Sequence, residues 1–131
     1  KLEQRIKVCA VVMHQVCHRF NDGEQAFTPK DIHEVTKIPQ QIINHAVKEL
    51  LQAKLLVEIR SEKKGSFEES IILHPIEKID HLTYGAMIER LFTYGADVVG
   101  LAEQNPDWEK WKDIDVLNAE FVESGKSINF V

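Results

Sequence analysis

Two prolines, Pro29 and Pro39, each stand where a helix begins, and the ten-residue interval between them leaves room for a helix of only two turns. Proline has no N–H to donate and its φ is fixed at about −65°, so it is tolerated at a first helical position and breaks a helix elsewhere. Thr28 supplies an N-cap oxygen ahead of Pro29, and Ile32 with Val35 gives this short helix an apolar face. After Lys37 and Ile38, Pro39 starts a longer helix in which Ile42, Ile43, Ala46, Val47, Leu50 and Leu51 recur at the helical period. That spacing puts Gln40, Gln41, Asn44, His45 and Lys48 on the outer face. Two helices joined by so short a turn make a helix-turn-helix.

The flanking segments extend this motif. A first helix is predicted from about Leu2 to Phe20, with Ile6, Cys9, Ala10, Met13, Val16, Cys17 and Phe20 as one apolar stripe, ended by Asn21, Asp22 and Gly23. From Leu55 to Arg60 the helical pattern gives way to a β-rich run, followed by a polar turn from Ser61 to Ser66 and a second run from Phe67 to Leu73 closed by Pro75. A hairpin of this size cannot bury a face alone, so it must pack on the first and third helices. Leu82-Thr83 caps a fourth helix from Tyr84 to about Tyr94, and Asn105-Pro106-Asp107 opens a fifth bearing Trp108, Trp111, Ile114, Leu117 and Phe121. The expected fold is mostly α with a small β-hairpin: a winged helix-turn-helix over residues 1–94, with an acidic helical C-terminal extension over 95–131 that packs on it. The tail from Ser124 to Val131 is short enough to fray or dock.

At 131 residues the chain can bury one core without disulfides or a structural metal. No run approaches the roughly 18 to 20 apolar residues that a membrane span needs. The two cysteines, Cys9 and Cys17, sit eight apart on one predicted helix. That is about 12 Å of rise, too far for a mutual disulfide, and they read as reduced core thiols. Charge is unevenly distributed: residues 1–27 carry a net +1, residues 28–64 a net +2 and residues 65–131 a net −8, which gives the −5 of the chain. A basic footprint of +2 is thin for a module that must neutralise phosphates.

His14, Cys17 and His18 stand at i, i+3 and i+4, a spacing that can converge on a metal, but Cys17 belongs to the apolar stripe and no second ligand cluster accompanies it. No metal or cofactor is therefore expected. His33, His45, His74 and His81 are scattered and read as surface or capping residues. The outer face of the third helix could read base edges, since Gln and Asn bond adenine bidentately and Lys meets guanine or phosphate, with Arg60, Lys63 and Lys64 of the wing on the backbone. Glu49, Glu58 and Glu62 interleave with these cations, which favours a solvated face and disfavours nucleic acid. The six glycines form no phosphate-binding loop, and the serines lack a nucleophile elbow, so no catalytic residues are assigned. Trp108, Trp111 and Phe121 are expected to anchor the extension to the core or to a second subunit.

The order Arg19-Phe20, Gly23, Thr28-Pro29, Asp31-Ile32, Ile38-Pro39, Val47, Glu49-Leu50, Ala53, Leu55-Leu56-Val57, His74-Pro75, Ile79 and Leu82-Thr83-Tyr84-Gly85 resembles the cytoplasmic C-terminal domain of the YihY, or ribonuclease BN-like, integral membrane family. Leu91-Phe92-Thr93-Tyr94-Gly95 and the acidic tail with Trp108 look like the longer form of that domain. The resemblance implies membrane helices preceding Lys1 and a soluble module on the cytoplasmic side of a bacterial inner membrane. Such a module binds a protein partner, oligomerises the membrane part or senses a ligand, and has no ribonuclease chemistry of its own; a dimer is expected by analogy, because the first helix and the C-terminal extension flank many winged helices where two-fold partners meet. The Rrf2-type transcription regulators share the helix-turn-helix, the wing and the segment after it. This sequence lacks the cysteine cluster that iron-sulfur members carry beyond the wing, and its first helix ends in a longer loop, so a DNA-binding regulator ranks second and a tRNA-processing ribonuclease last.

Overall fold

The computed structural model describes residues 2–62, 69–94 and 108–131. Within them, α1 spans Leu2–Asn21, α2 Pro29–Thr36, α3 Gln40–Gln52, β1 Leu56–Glu62, β2 Glu69–Pro75, α4 Tyr84–Tyr94 and α5 Trp108–Gly125, with a 3₁₀ turn at Ile79–His81 before α4. β1 and β2 form a two-stranded antiparallel hairpin in which Val57 faces His74 and Ile59 faces Ile72. The winged helix-turn-helix order expected from the sequence is present.

Each junction has a local cause. At α2 the Thr28 hydroxyl accepts from the Asp31 N–H (3.1 Å) while the Asp31 carboxylate accepts from the Thr28 N–H (2.9 Å), a capping box that satisfies two otherwise orphaned donors. Lys37 then stops the helix in the left-handed region at φ 62°, its N–H donating to the His33 carbonyl. α3 ends in a Schellman arrangement: the Leu55 N–H donates to Leu50 O and the Lys54 N–H to Leu51 O, with Lys54 at φ 58°. This tight reversal feeds the chain directly into β1. At α4 the Thr83 hydroxyl accepts from the Ala86 N–H (3.1 Å).

The core lies between α1, α3, the root of the hairpin and α4. Cys9, Val12, Met13, Val16 and Cys17 of α1 meet Ile43, Ala46, Val47 and Leu50 of α3, and Leu55, Leu56, Leu73, Met87 and Ile88 close the ends. The loop after α1 also pairs with the wing, since the Phe27 carbonyl accepts from the Leu73 N–H (2.9 Å). Arg19 fixes that loop: its Nε donates to the Gln25 carbonyl (2.7 Å) and its guanidinium lies 4.4 Å over the Phe27 ring.

The C-terminal tail docks. The Tyr84 N–H donates to Ile128 O (2.8 Å), Thr83 bridges to Asn129, and Val122 and Phe130 are buried. α4 and α5 cross where Gly85 meets Gly125, so closely that a Cβ on Gly85 would lie 2.2 Å from the Val122 carbonyl oxygen. The expected boundary between residues 94 and 95 falls at the edge of the described residues.

Candidate nucleic-acid interface and the neighbouring groove

α2 and the turn hold α3 at its N-terminal end. His33 Nδ1 lies 2.6 Å from the Ile38 carbonyl, the Ile38 N–H donates to the Thr36 hydroxyl (3.3 Å), and Gln40 Nε2 reaches the Pro29 carbonyl (3.4 Å). Gln40 also donates to Asn44 Oδ1 at 2.8 Å, which links two of the candidate readers along the helix. Gln41, Asn44, His45 and Lys48 are exposed, as the helical period of the sequence requires, while Ile43, Ala46, Val47 and Leu50 turn inward. Arg60 is exposed on β1, opposite Ile71. Lys63 and Lys64 lie outside the described residues, as do the side chains of Trp108 and Trp111, although both tryptophans belong to α5. Phe121, the third expected anchor, is 52 % exposed.

Expectations of apolar burial fail at the edges of their stripes, and Phe20, counted into the stripe of α1, is half exposed. Ile42 is 46 % exposed and Val35 is 56 % exposed. The inward positions of α3 recur as Ile43, Ala46, Val47 and Leu50, and Ile42 sits about 100° round from Ile43, at the margin of that stripe. There it lines a groove between α3 and the first turns of α1.

This groove was missed in the sequence, because it depends on how α1 crosses α3. Arg5 of α1 pairs with Glu49 of α3, whose second oxygen lies 3.8 Å from Cys9 Sγ, and His45 Nε2 reaches Glu49 Oε1 at 2.9 Å. Glu49 is therefore the hub of a small ionic cluster. The only prior sign of it was Glu49 among the cations of α3.

Desolvation pushes the Cys9 thiol up to about 12, with the Glu49 carboxylate adding to the effect, and desolvation likewise takes Cys17 to about 12. Both are buried protonated thiols, as core thiols should be. The i, i+3, i+4 trio of α1 does not converge: Cys17 faces the core, His14 faces out, and the rings of His14 and His18 stand 4.2 Å apart. Among the described residues no cluster of three metal-ligating side chains occurs.

No protein-family model matches the sequence, and no curated protein is detectably similar to it. Solved structures do match in fold. CymR of Staphylococcus aureus superposes with a TM-score of 0.59 at 16% identity, covering 97% of this chain and 92% of that one. CymR (YrzC), the global cysteine regulator of B. subtilis, gives 0.55 at 14% identity over 94% and 93%. These likenesses support the winged helix-turn-helix fold. They also overturn the resemblance to the YihY, ribonuclease BN-like family, because the structures this chain matches end to end are of CymR type, not a membrane-protein domain. The expected module function and the inner-membrane location rested on that resemblance and fall with it. Among the described residues no helix is long and apolar enough to cross a membrane.

Proposed function

We propose that this chain is a DNA-binding transcription regulator of Rrf2-like type, with α3 entering the major groove. The observation that carries the reading is the outer face of α3: Gln41, Asn44, His45 and Lys48 project together from a helix whose base is locked by α2, on a fold shared with a known regulator. Gln and Asn supply the paired donor and acceptor that adenine needs, and Lys48 a donor for guanine or phosphate. Arg60 on β1 holds the backbone in this reading, joined by Lys63 and Lys64, which follow it in the sequence. The likeness to a regulator supports a non-enzymatic role.

The thin positive charge of residues 28–64 is offset if two copies bind together, since phosphate contacts then double. α5 has the surface for this. Val116, Leu117 and Phe121 are all exposed on one helix, and an apolar face of that kind is covered in a two-fold pair. Trp108 and Trp111 belong to the same helix.

Fluorescence anisotropy of labelled random-sequence duplex DNA, at about 50 and 200 mM salt, tests the reading. Binding at the lower salt that weakens by orders of magnitude at the higher supports it; no binding at either salt rejects it.

A further inference from the structure

The Glu49 carboxylate is fixed from both α1 and the core. Arg5 pairs with its Oε1, the Cys9 thiol lies 3.8 Å from its Oε2, and only 16 % of the side chain is exposed. His45, one turn earlier on α3, brings Nε2 to 2.9 Å from the same Oε1. A carboxylate has no proton to give, so the imidazole is the donor in this contact and Nε2 carries a hydrogen. In the neutral ring the other nitrogen, Nδ1, is then an acceptor only. No described residue bonds to Nδ1, and the His45 side chain is 61 % exposed.

Gln41, His45 and Lys48 stand at i, i+4 and i+7, so His45 lies in the middle of the face that the DNA reading turns toward base edges. A neutral Nδ1 there suits the amino group of cytosine or adenine. A protonated ring presents an N–H in the same place, which suits O6 or N7 of guanine and O4 of thymine. The charged groups about His45 are Glu49 and Lys48 on its own helix and Arg5 and Lys7 across the groove on α1; Ile38, from the turn, carries no charge.

We infer that His45 is a specificity-determining residue whose preferred base changes with pH, and that Glu49 is the positioning residue that fixes its tautomer. This inference rests on the DNA reading of α3. At one position of the contacted strand the neutral ring selects cytosine or adenine, and the imidazolium selects guanine or thymine.

Selection of bound duplexes from a random-sequence pool at about pH 8 and about pH 5, which bracket the charge change of imidazole, tests it. The expected bias at that position is about two- to tenfold at each pH, the scale of one hydrogen bond, and opposite in sense. Glu49→Gln should flatten the preference at the higher pH and leave that at the lower. A carboxamide can donate or accept and so no longer fixes the tautomer, whereas the imidazolium needs no fixing. A purely structural role for Glu49 would alter both. His45→Gln, at an exposed position where folding is not at stake, should show one preference at both pH values. Imidazole nitrogen-15 shifts of the free protein at the higher pH read the tautomer without DNA: Nε2–H dominates in the wild type, with a larger Nδ1–H share in Glu49→Gln. A wild-type preference indifferent to pH, a pH-dependent preference that survives in His45→Gln, or a dominant Nδ1–H tautomer overturns the inference and leaves the DNA reading standing. A pool from which no duplex is retained at either pH rejects the DNA reading, and this inference with it.

Discussion

Replacing Gly85 by alanine is expected to loosen the C-terminal extension, with a cost that follows from the α4–α5 crossing. A Cβ at Gly85 would stand 2.2 Å from Val122 O, 2.6 Å from Lys126 N and 2.8 Å from Gly125 C, all backbone atoms that cannot rotate away. Ordinary contact begins near 3.5 Å, so α5 must retreat by roughly 1 Å. Overpacking of this kind costs about 1–3 kcal/mol. The retreat also stretches the Tyr84 N–H to Ile128 O bond (2.8 Å), worth about 0.5–1.5 kcal/mol, and partly uncovers Val122 and Phe130. Against this, alanine gains at most about 1 kcal/mol of helix propensity over glycine. The net expectation is a loss of about 1–3 kcal/mol, read by denaturant unfolding, or a Tm lower by roughly 4 °C per kcal/mol at this chain length. Gly125→Ala, whose Cβ would meet Gly85 N at 2.9 Å, is milder in the same direction. Gly23→Ala is the control: nothing lies within 4 Å, and only its φ of +68° is unfavourable, at about 1–2 kcal/mol. If Gly85→Ala raises stability, as it does on an open helix surface, the crossing is not as close as described and the docking argument fails.

Further outcomes follow from the same structure. Lys37→Gly should stabilise the chain by about 0.5–1 kcal/mol in chemical denaturation, because Lys37 holds a left-handed φ of 62° that glycine adopts without strain. Thr28→Ala should cost about 0.5–2 kcal/mol through loss of the capping box with Asp31, measured the same way. Cys9 and Cys17 should resist a thiol reagent in the folded protein and react on unfolding. Their folded values of about 12 lie above the ordinary 9.0, so the folded state keeps protons that the unfolded chain releases. Stability should therefore be independent of these thiols below pH 9 and fall between pH 9 and about 12, by up to about 1.4 kcal/mol per thiol per pH unit in equilibrium unfolding. Substituting both cysteines by alanine should remove that part of the alkaline slope.

What was legible in the sequence was local. Thr28-Pro29 announced the cap of α2, Pro39 the start of α3, and the spacing of Ile43, Ala46, Val47 and Leu50 the buried face, because caps and periodicity depend on residues close in the chain. Ile42 was counted into that face and Val35 into the apolar face of α2, but both are half exposed, at margins where the neighbour's position decides burial. The Gly85–Gly125 contact, the docking of Asn129 on Thr83 and the Arg5–Glu49–His45 cluster join residues far apart in sequence, and no periodicity points to them. The family resemblance misled for a related reason. Thr28-Pro29, Asp31-Ile32, Leu55-Leu56 and Thr83-Tyr84-Gly85 are caps, core positions and a helix crossing of the winged helix itself, so they report the fold and not the protein that carries it.

Whether α3 reads DNA is tested residue by residue by amide chemical-shift mapping by NMR with a short duplex at low salt. Shifts are expected to concentrate on Gln40 to Lys48 and on the wing about Arg60, and to weaken together as salt is raised. Shifts confined to other faces, or a spectrum that duplex DNA leaves unchanged, contradict it.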